Sequence, residues 1–425
     1  MMRRVEHSTS IEGSLRVPGD KSASHRALML SALSAGESTI EGLSPGLDVA
    51  ATGDIIEQLG ASRRVAANRV VVEGPPDGLR ASNRPLQCGN SGTTIRLLSG
   101  IVSAIEGTHR LEGDASLSRR PMDRVAVPLE LMGATVAGEG PRITPPLRIT
   151  GSRHLHGIDY RVPTASAQVK SAILLAGLFA DAVTSVHEDV RTRTTTEDMM
   201  RFAGIDVRSV DVAAGRRVTV VPGRPLAQAW HVPGDPSQAA FFCVLGLIHP
   251  RGNVEVRDVE GTPERTGFVS VLRRMGADLN ETAGASGIDL RSRTSDLRAT
   301  EIHAREIPSV DEVPILSVAA AAAQGVSAFR DMGELRLKES DRFEGSIALA
   351  RLLGCRAWSE GDDFYIEGLG SADAFAPFRI NAGLDHRIVM ASAVAGVAGH
   401  GCDIDGSDTV RSSYPGFFKD LASLR

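Results

Sequence analysis

The stretch VPGDPSQAAFFCVLGLI, residues 232–248, decides the fold. It opens on Pro, Gly and an acid, then runs apolar on nearly every face. A helix of that kind needs neighbours on all sides, which one structural unit cannot supply. The same arrangement occurs five more times: VPGDKSASHRALMLSALSAG at 17–36, CGNSGTTIRLLSGIVSAIEG at 88–107, VPTASAQVKSAILLAGLFA at 162–180, IPSVDEVPILSVAAAAAQG at 307–325 and NAGLDHRIVMASAVAGVAG at 381–399. With Ser22, Ser91, Ser166, Ser237, Asp311 and His386 as markers, the steps are 69, 75, 71, 74 and 75 residues. A fixed period with matching internal order signals repeated supersecondary units.

Each apolar helix is followed by a short β-prone piece, such as GNVEVRDV or VSAFRDM. An amphipathic helix comes next, such as VSVLRRMGA or SIALARLLGC, and five of the six end in or near Gly. Strand-like pieces such as RVVVEG, RVTVVPG and DFYIEG follow. Each repeat is therefore a mixed α/β module. Three modules about an axis bury three apolar helices together, so six give two lobes, dividing near Val232.

The chain has 425 residues, 42% hydrophobic and 23% charged, the balance of a globular protein with two or three domains. Aromatics are only 4%, so aliphatic residues must build the cores. The formal charge of −5 leaves no basic field for nucleic acid. The four cysteines, at 88, 243, 355 and 402, have neither zinc nor disulfide-scaffold spacing and suit a reducing compartment. The basic N-terminus has no apolar segment behind it. Apolar runs such as residues 315–323 fall far short of the ~18–20 needed to span a bilayer. A cytoplasmic protein with no membrane partner and no metal is expected.

Polar residues gather where the apolar helices begin. Such ends carry unpaired N–H groups and about half a positive charge, and they bind phosphate or carboxylate. Lys21, Arg26, Arg96, Lys170 and Arg387 lie at these ends. Loops add Arg119, Arg120 and Arg124, then Arg191 and Arg193, then Arg336, Lys338 and Arg342. Cations recurring in register across an acidic chain predict a site for small polyanions. GDKS lacks Walker spacing and no GxGxxG follows a strand, so nucleotide binding is not indicated. ELRLKESDRFEG, from Glu334, puts Lys338, Glu339 and Arg342 within five residues. It reads as a general acid/base carboxylate between cations, or as a solvated charged turn before a helix. Asp311 reads equally as a helix-capping acid, and His386 as a polar residue at a helix start.

Seven motifs, PGDKSASHRAL, GNSGTTIRLL, GDASLSRRPMDR, SAQVKSAILLAG, GDPSQAAFF, LRLKESDR and DHRIVMA, together resemble the 5-enolpyruvylshikimate-3-phosphate synthase family. They stand in that family's order and span most of the chain. The resemblance implies an α/β fold of two lobes, each of three βαβαββ units packed about buried parallel helices. One lobe would be residues 18–231 and the other residues 1–17 with 232–425, the active site lying in the cleft between them. The implied activity is transfer of the enolpyruvyl group of phosphoenolpyruvate to the 5-hydroxyl of shikimate 3-phosphate. A tetrahedral intermediate forms, phosphate is released and no cofactor is used. The implied partners are these two small molecules, and a monomer is expected.

By position, the resemblance assigns Lys21, Ser22, Arg26, Ser166, Ala167, Gln168, Arg193, Asp311 and Lys338 to shikimate 3-phosphate. Ala167 stands where some members have a second Ser. Lys21, Gly92, Thr93, Arg120, Gln168, Arg342, His386 and Arg387 are assigned to phosphoenolpyruvate. Asp311, Glu339 and Lys21 are the catalytic set: Asp311 or a neutral Lys near it as base, Glu339 as acid, with the leaving phosphate's charge held by Lys21, Arg120, Arg342 and Arg387. In the last repeat, TVRSSYPGFF puts Ser412 where some members have Lys, with Arg411 one residue earlier. Glu334 stands where some have Asn.

Three rival readings make different demands on the chain. An enolpyruvyl transferase acting on UDP-N-acetylglucosamine would carry a reactive Cys in the loop at residues 113–123, which has none. A non-catalytic phosphate-ligand binding protein predicts binding without turnover. RNA 3′-end chemistry would need a basic groove and nucleotide motifs.

Overall fold

The computed structural model describes residues 2–67, 69–307 and 310–425; Pro308 and Ser309, in the entry to the fifth apolar helix, lie outside the described residues. The chain divides into two compact lobes: Lys21–Val232, and Met1–Asp20 together with Pro233–Arg425.

The helices alternate between two kinds. The apolar ones are α1 (Lys21–Leu33), α3 (Gly92–Ser103), α5 (Ala167–Gly177), α7 (Pro236–Ile248), α9 (Val313–Ala322) and α11 (His386–Ala398). The amphipathic ones are α2 (Leu47–Gln58), α4 (Asp123–Leu131), α6 (Thr195–Phe202), α8 (Gly267–Arg274), α10 (Arg342–Leu352) and α12 (Phe417–Ala422). Every residue of α7 and of α11 is buried, as their composition requires. In the first lobe α1, α3 and α5 share one apolar core. In the second, α7, α9 and α11 share another and touch one another.

Local signals set the helix ends. Asp235 accepts from the Ser237 N–H at 2.9 Å to cap α7, and Pro236 occupies the first turn, where its missing N–H costs nothing. Ser91 caps α3 and Ser166 caps α5 in the same way. The glycines just past α2, α4, α6, α8 and α10 (Gly60, Gly133, Gly204, Gly276 and Gly354) all have positive φ, the left-handed stop their spacing predicts.

The first five repeats fold as βαβαββ. In the second repeat, Leu86–Gln87 pairs parallel with Gly107–Glu112 across α3, and Thr144–Gly151 and Thr135–Glu139 extend the sheet antiparallel. The first and fourth repeats exchange their leading strands. Ile11–Leu15 precedes α1 in the chain but pairs with Gly252–Val259, the strand after α7. Ala229–His231 precedes α7 but pairs with Gly36–Glu41, the strand after α1. In the sixth repeat Phe378–Asn381 and Cys402–Asp405 pair parallel, and Met2–Val5 closes that sheet in place of a second hairpin. Within the second lobe the segments beside these exchanges run together: Asp20 N donates to the Pro233 carbonyl at 2.7 Å and Asp235 N to that of Pro18 at 2.9 Å. Buried Arg265 donates to both Asp20 and Asp235. Burial works against its charge, yet the surrounding carboxylates hold its pKa above the ordinary value.

Candidate active site

In the first lobe, hydrogen bonds join the starts of the three apolar helices. Lys21 is the first residue of α1 and pairs with Asp48 on α2. Arg26, one turn on, is 5% exposed. Its Nη1 donates to the Ser22 carbonyl at 2.8 Å, Nη2 to Ser171 of α5 at 2.8 Å and Nε to Thr196 of α6 at 2.6 Å. Arg193, from the loop before α6, donates to the Ser22 hydroxyl at 3.2 Å. Gln168 ties α5 to α3: it donates to Thr93 at 2.9 Å and accepts from Arg96 at 2.6 Å. Ser166 is the cap of α5 and Ala167 its first residue, a methyl with no bond to offer.

Gly92 opens α3 beneath two guanidinium groups. A Cβ there would lie 3.0 Å from Nη1 of Arg120 and 3.2 Å from Nη1 of Arg96. Arg120 is held by Asn90 at 2.9 Å, and Asn90 by Asp114 at 2.6 Å. Thus Lys21, Ser22, Arg26, Gly92, Thr93, Arg120, Ser166, Ala167, Gln168 and Arg193 gather at one end of this lobe. Positive side chains and helix N-termini converge there, the arrangement that holds an anion. Lys170 does not join them. It is fully buried between Glu188 at 2.8 Å and Glu197 at 2.7 Å, so its expected place beside an anion is corrected: apolar packing turns its side chain inward, where only carboxylates can offset its charge.

In the second lobe Arg342 is the hub. It is 1% exposed and binds three carboxylates. Nη1 reaches Asp311 at 2.9 Å, Nη2 reaches Glu339 at 2.5 Å and Nε reaches Asp385 at 2.8 Å. Burial disfavours the guanidinium charge, but Asp385, Glu339 and Asp311 outweigh it and hold its pKa above the usual value. Burial likewise opposes ionisation of Asp385, and Arg342 reverses the balance, keeping that carboxyl below its ordinary pKa. Arg387 meets the other oxygen of Asp311 at 3.4 Å. His386 opens α11 and is 2% exposed.

Asp311 lies just before α9, whose cap position is Glu312, so the capping alternative for Asp311 does not hold. Lys338 directs its ammonium to Glu334 at 2.7 Å. Arg411 is exposed, and Ser412 closes its own 3-10 turn on the Thr409 carbonyl at 2.8 Å. Sequence reasoning missed Asp48, Asn90, Thr196 and Asp385. Only Asp385 carried a signal: an acid directly before a helical run is a cap, and it accepts from the Arg387 N–H at 2.9 Å.

Six α/β repeats in two lobes, with polar and cationic helix starts, form the fold of the enolpyruvyl transferases. The structure of the enolpyruvyl transferase NikO from Streptomyces tendae shares this fold with a TM-score of 0.77 over 100% of this chain and 97% of that one, at 17% identity. The EPSP synthase (3-phosphoshikimate 1-carboxyvinyltransferase) family profile matches residues 5–421. The 3-phosphoshikimate 1-carboxyvinyltransferase of Geobacillus kaustophilus is 44% identical over the whole of both chains. That of Synechococcus sp. is 43% identical over 98% of this chain and 97% of its own. EPSP synthase from Acinetobacter baumannii superimposes with a TM-score of 0.85 at 37% identity, covering 100% of this chain and 98% of that one. The chain belongs to the EPSP synthase family. It is a transferase of the shikimate pathway that moves the enolpyruvyl group of phosphoenolpyruvate to shikimate 3-phosphate.

Proposed function

We propose that the two constellations face each other across a closing cleft and carry out the transfer by addition and elimination. Shikimate 3-phosphate would lie on Ser22, Arg26, Ser166, Gln168 and Arg193, with Lys338 and Asp311 on its hydroxyls. Phosphoenolpyruvate would lie among Lys21, Gly92, Thr93, Arg120, Gln168, Arg342, His386 and Arg387. Closure excludes water and aligns the two reactants.

Glu339 gives a proton to the methylene carbon of phosphoenolpyruvate. The 5-hydroxyl oxygen adds to the adjacent carbon and passes its proton to Asp311, giving the tetrahedral intermediate. The methyl carbon then returns a proton to Glu339, the carbon–oxygen bond to phosphate breaks, the double bond re-forms, and the proton held by Asp311 passes to the departing phosphate. Lys21, Arg120, Arg342 and Arg387 take the charge of the departing phosphate.

The observation that carries this reading is the sharing of Arg342 by Asp311 and Glu339, the two carboxylates assigned to proton transfer. A substrate anion arriving at Arg342 competes with Glu339 for Nη2, which frees that carboxyl to face the substrate. The full residue set lies on one chain, so the reading needs no second subunit, and a monomer is proposed. The four cysteines are free and buried, which suits the reducing cytoplasm.

The test is phosphate release from phosphoenolpyruvate with shikimate 3-phosphate and with UDP-N-acetylglucosamine in parallel. Release with the first acceptor only is expected. Release only with the second would replace the acceptor, and binding without release would leave a phosphate-ligand binding protein.

A further inference from the structure

The loop at residues 189–194 carries Arg193, whose guanidinium reaches Ser22 at the start of α1. Both ends of this loop are tied to one buried cation. Glu188 is the last residue of the strand Thr184–Glu188, and Glu197 lies in the first turn of α6. Lys170, one turn into α5, donates a hydrogen bond to the first at 2.8 Å and forms an ion pair with the second at 2.7 Å. All three side chains are 0–1% exposed. From within the loop, the Thr192 hydroxyl donates to the other oxygen of Glu188. Directly after it, Thr196 accepts from Arg26 and shares a hydrogen bond with Ser171.

A fully buried ammonium and two buried carboxylates are costly unless mutually paired, and removing one leaves the others uncompensated. The cluster therefore has one low-energy arrangement, which fixes both ends of the loop relative to α5. That helix also presents Ser166 and Gln168. We infer that Lys170, Glu188, Glu197 and Thr192 form a buried clip that positions Arg193 and Thr196 for the acceptor's phosphate. Lys170 is thus a positioning residue rather than a ligand. The clip serves the acceptor side selectively, because Thr93 is held by Gln168 and Arg120 by Asn90, neither of them in the loop. The assignment of Arg193 to shikimate 3-phosphate rests on the proposed function above; the clip itself does not.

The experiment uses the full chain with Thr192→Val, Thr192→Ser and Lys170→Met. Shikimate 3-phosphate affinity is read by calorimetry, KM for each substrate by phosphate release, and loop protection by hydrogen exchange without ligand. Thr192→Val is expected to weaken shikimate 3-phosphate binding about five- to tenfold, the size of one lost hydrogen bond. KM for phosphoenolpyruvate should stay within about twofold on the same reasoning, because its binding groups do not hang from the loop. Exchange should quicken at residues 190–194 and not in α3. Thr192→Ser should restore all three readings. Lys170→Met should show the same pattern more strongly; if it does not fold, Thr192→Val decides alone. Equal losses for both substrates, or an unchanged loop in Thr192→Val, would overturn the clip. If the wild type itself does not bind shikimate 3-phosphate, the acceptor assignment fails, and the exchange data still judge the clip.

Discussion

Arg342 donates through Nη1 to Oδ1 of Asp311 at 2.9 Å, while the second oxygen of Asp311 faces Arg387 at 3.4 Å. One carboxylate thus links the start of α10 to the start of α11. Arg342 also holds Glu339 and Asp385, so a charge that sequence alone marks as a substrate contact is already engaged by three acids before any ligand arrives. This explains how a guanidinium can be almost wholly buried: the three carboxylates offset its charge.

Asp385 supports that arrangement from below. It caps α11, accepts from Ser340 at 2.8 Å and holds Nε of Arg342. Asp385→Ala leaves a buried guanidinium short of a partner and should cost about 3–5 kcal/mol of stability. It should also raise KM for phosphoenolpyruvate. Asp385→Asn keeps the shape and an acceptor oxygen and should cost less. Urea unfolding of the two variants beside the wild type checks the order; equal loss would show that the charge is not what matters.

Glu339 is bound only at the edge of the hub and is assigned the proton. Glu339→Gln preserves size and hydrogen-bonding reach but cannot deliver a proton. Turnover should fall roughly 100- to 10,000-fold, the usual range for a lost general acid. The dissociation constants of both substrates should shift by only a few-fold. Steady-state rates and equilibrium binding, measured on the same preparation, separate these effects.

The repeats were legible because an all-apolar helix is a strong signal and it recurs with a constant step. The markers Ser22, Ser91 and Ser166 all fall in the first turns or caps of buried helices. The exchanged strands Ile11–Leu15 and Ala229–His231 were not legible, since their partners lie far away in the chain. Lys170 misled for a related reason. Its spacing from Ser166 resembles that of Arg26 from Ser22, but only three-dimensional packing reveals that Glu188 and Glu197 wait on its inner side.

Helix contact in the first lobe depends on one missing side chain. A Cβ on Gly100 of α3 would stand 2.1 Å from the Ala172 carbonyl oxygen of α5, and backbone cannot swing aside as a flexible side chain can. Gly100→Ala should therefore destabilise by about 1–3 kcal/mol despite the better helix propensity of Ala. Because α3 and α5 carry Thr93 and Gln168, the 2.9 Å bond between those side chains should weaken as the helices part. Thermal unfolding gives the first effect and substrate affinity the second. A stabilised Gly100→Ala variant would mean the helices approach less closely than described.

Acid should loosen the fold through histidines held neutral. His25 is fully buried on α1, and its pKa lies well below 6.5 because burial, then Lys21 and Arg26, oppose a second charge. His249 is lowered too, chiefly by burial. Its ring is also fixed as neutral, with Nε2 against the Ser8 carbonyl at 3.1 Å and Nδ1 accepting from the Arg251 N–H at 3.1 Å. A histidine with a depressed folded pKa binds fewer protons folded than unfolded just below pH 6.5, so stability falls as pH drops through that value. The slope is at most about 1.4 kcal/mol per pH unit for each such residue. Asp385 acts in a separate window: its lowered pKa adds stability above about pH 4 that is lost only as pH falls further. Urea midpoints at pH 7.5, 6.5 and 5.5 should therefore decline, and His25→Asn, which cannot take up a proton, should flatten the decline. An unchanged slope in that variant would show that His25 is not held neutral by the fold.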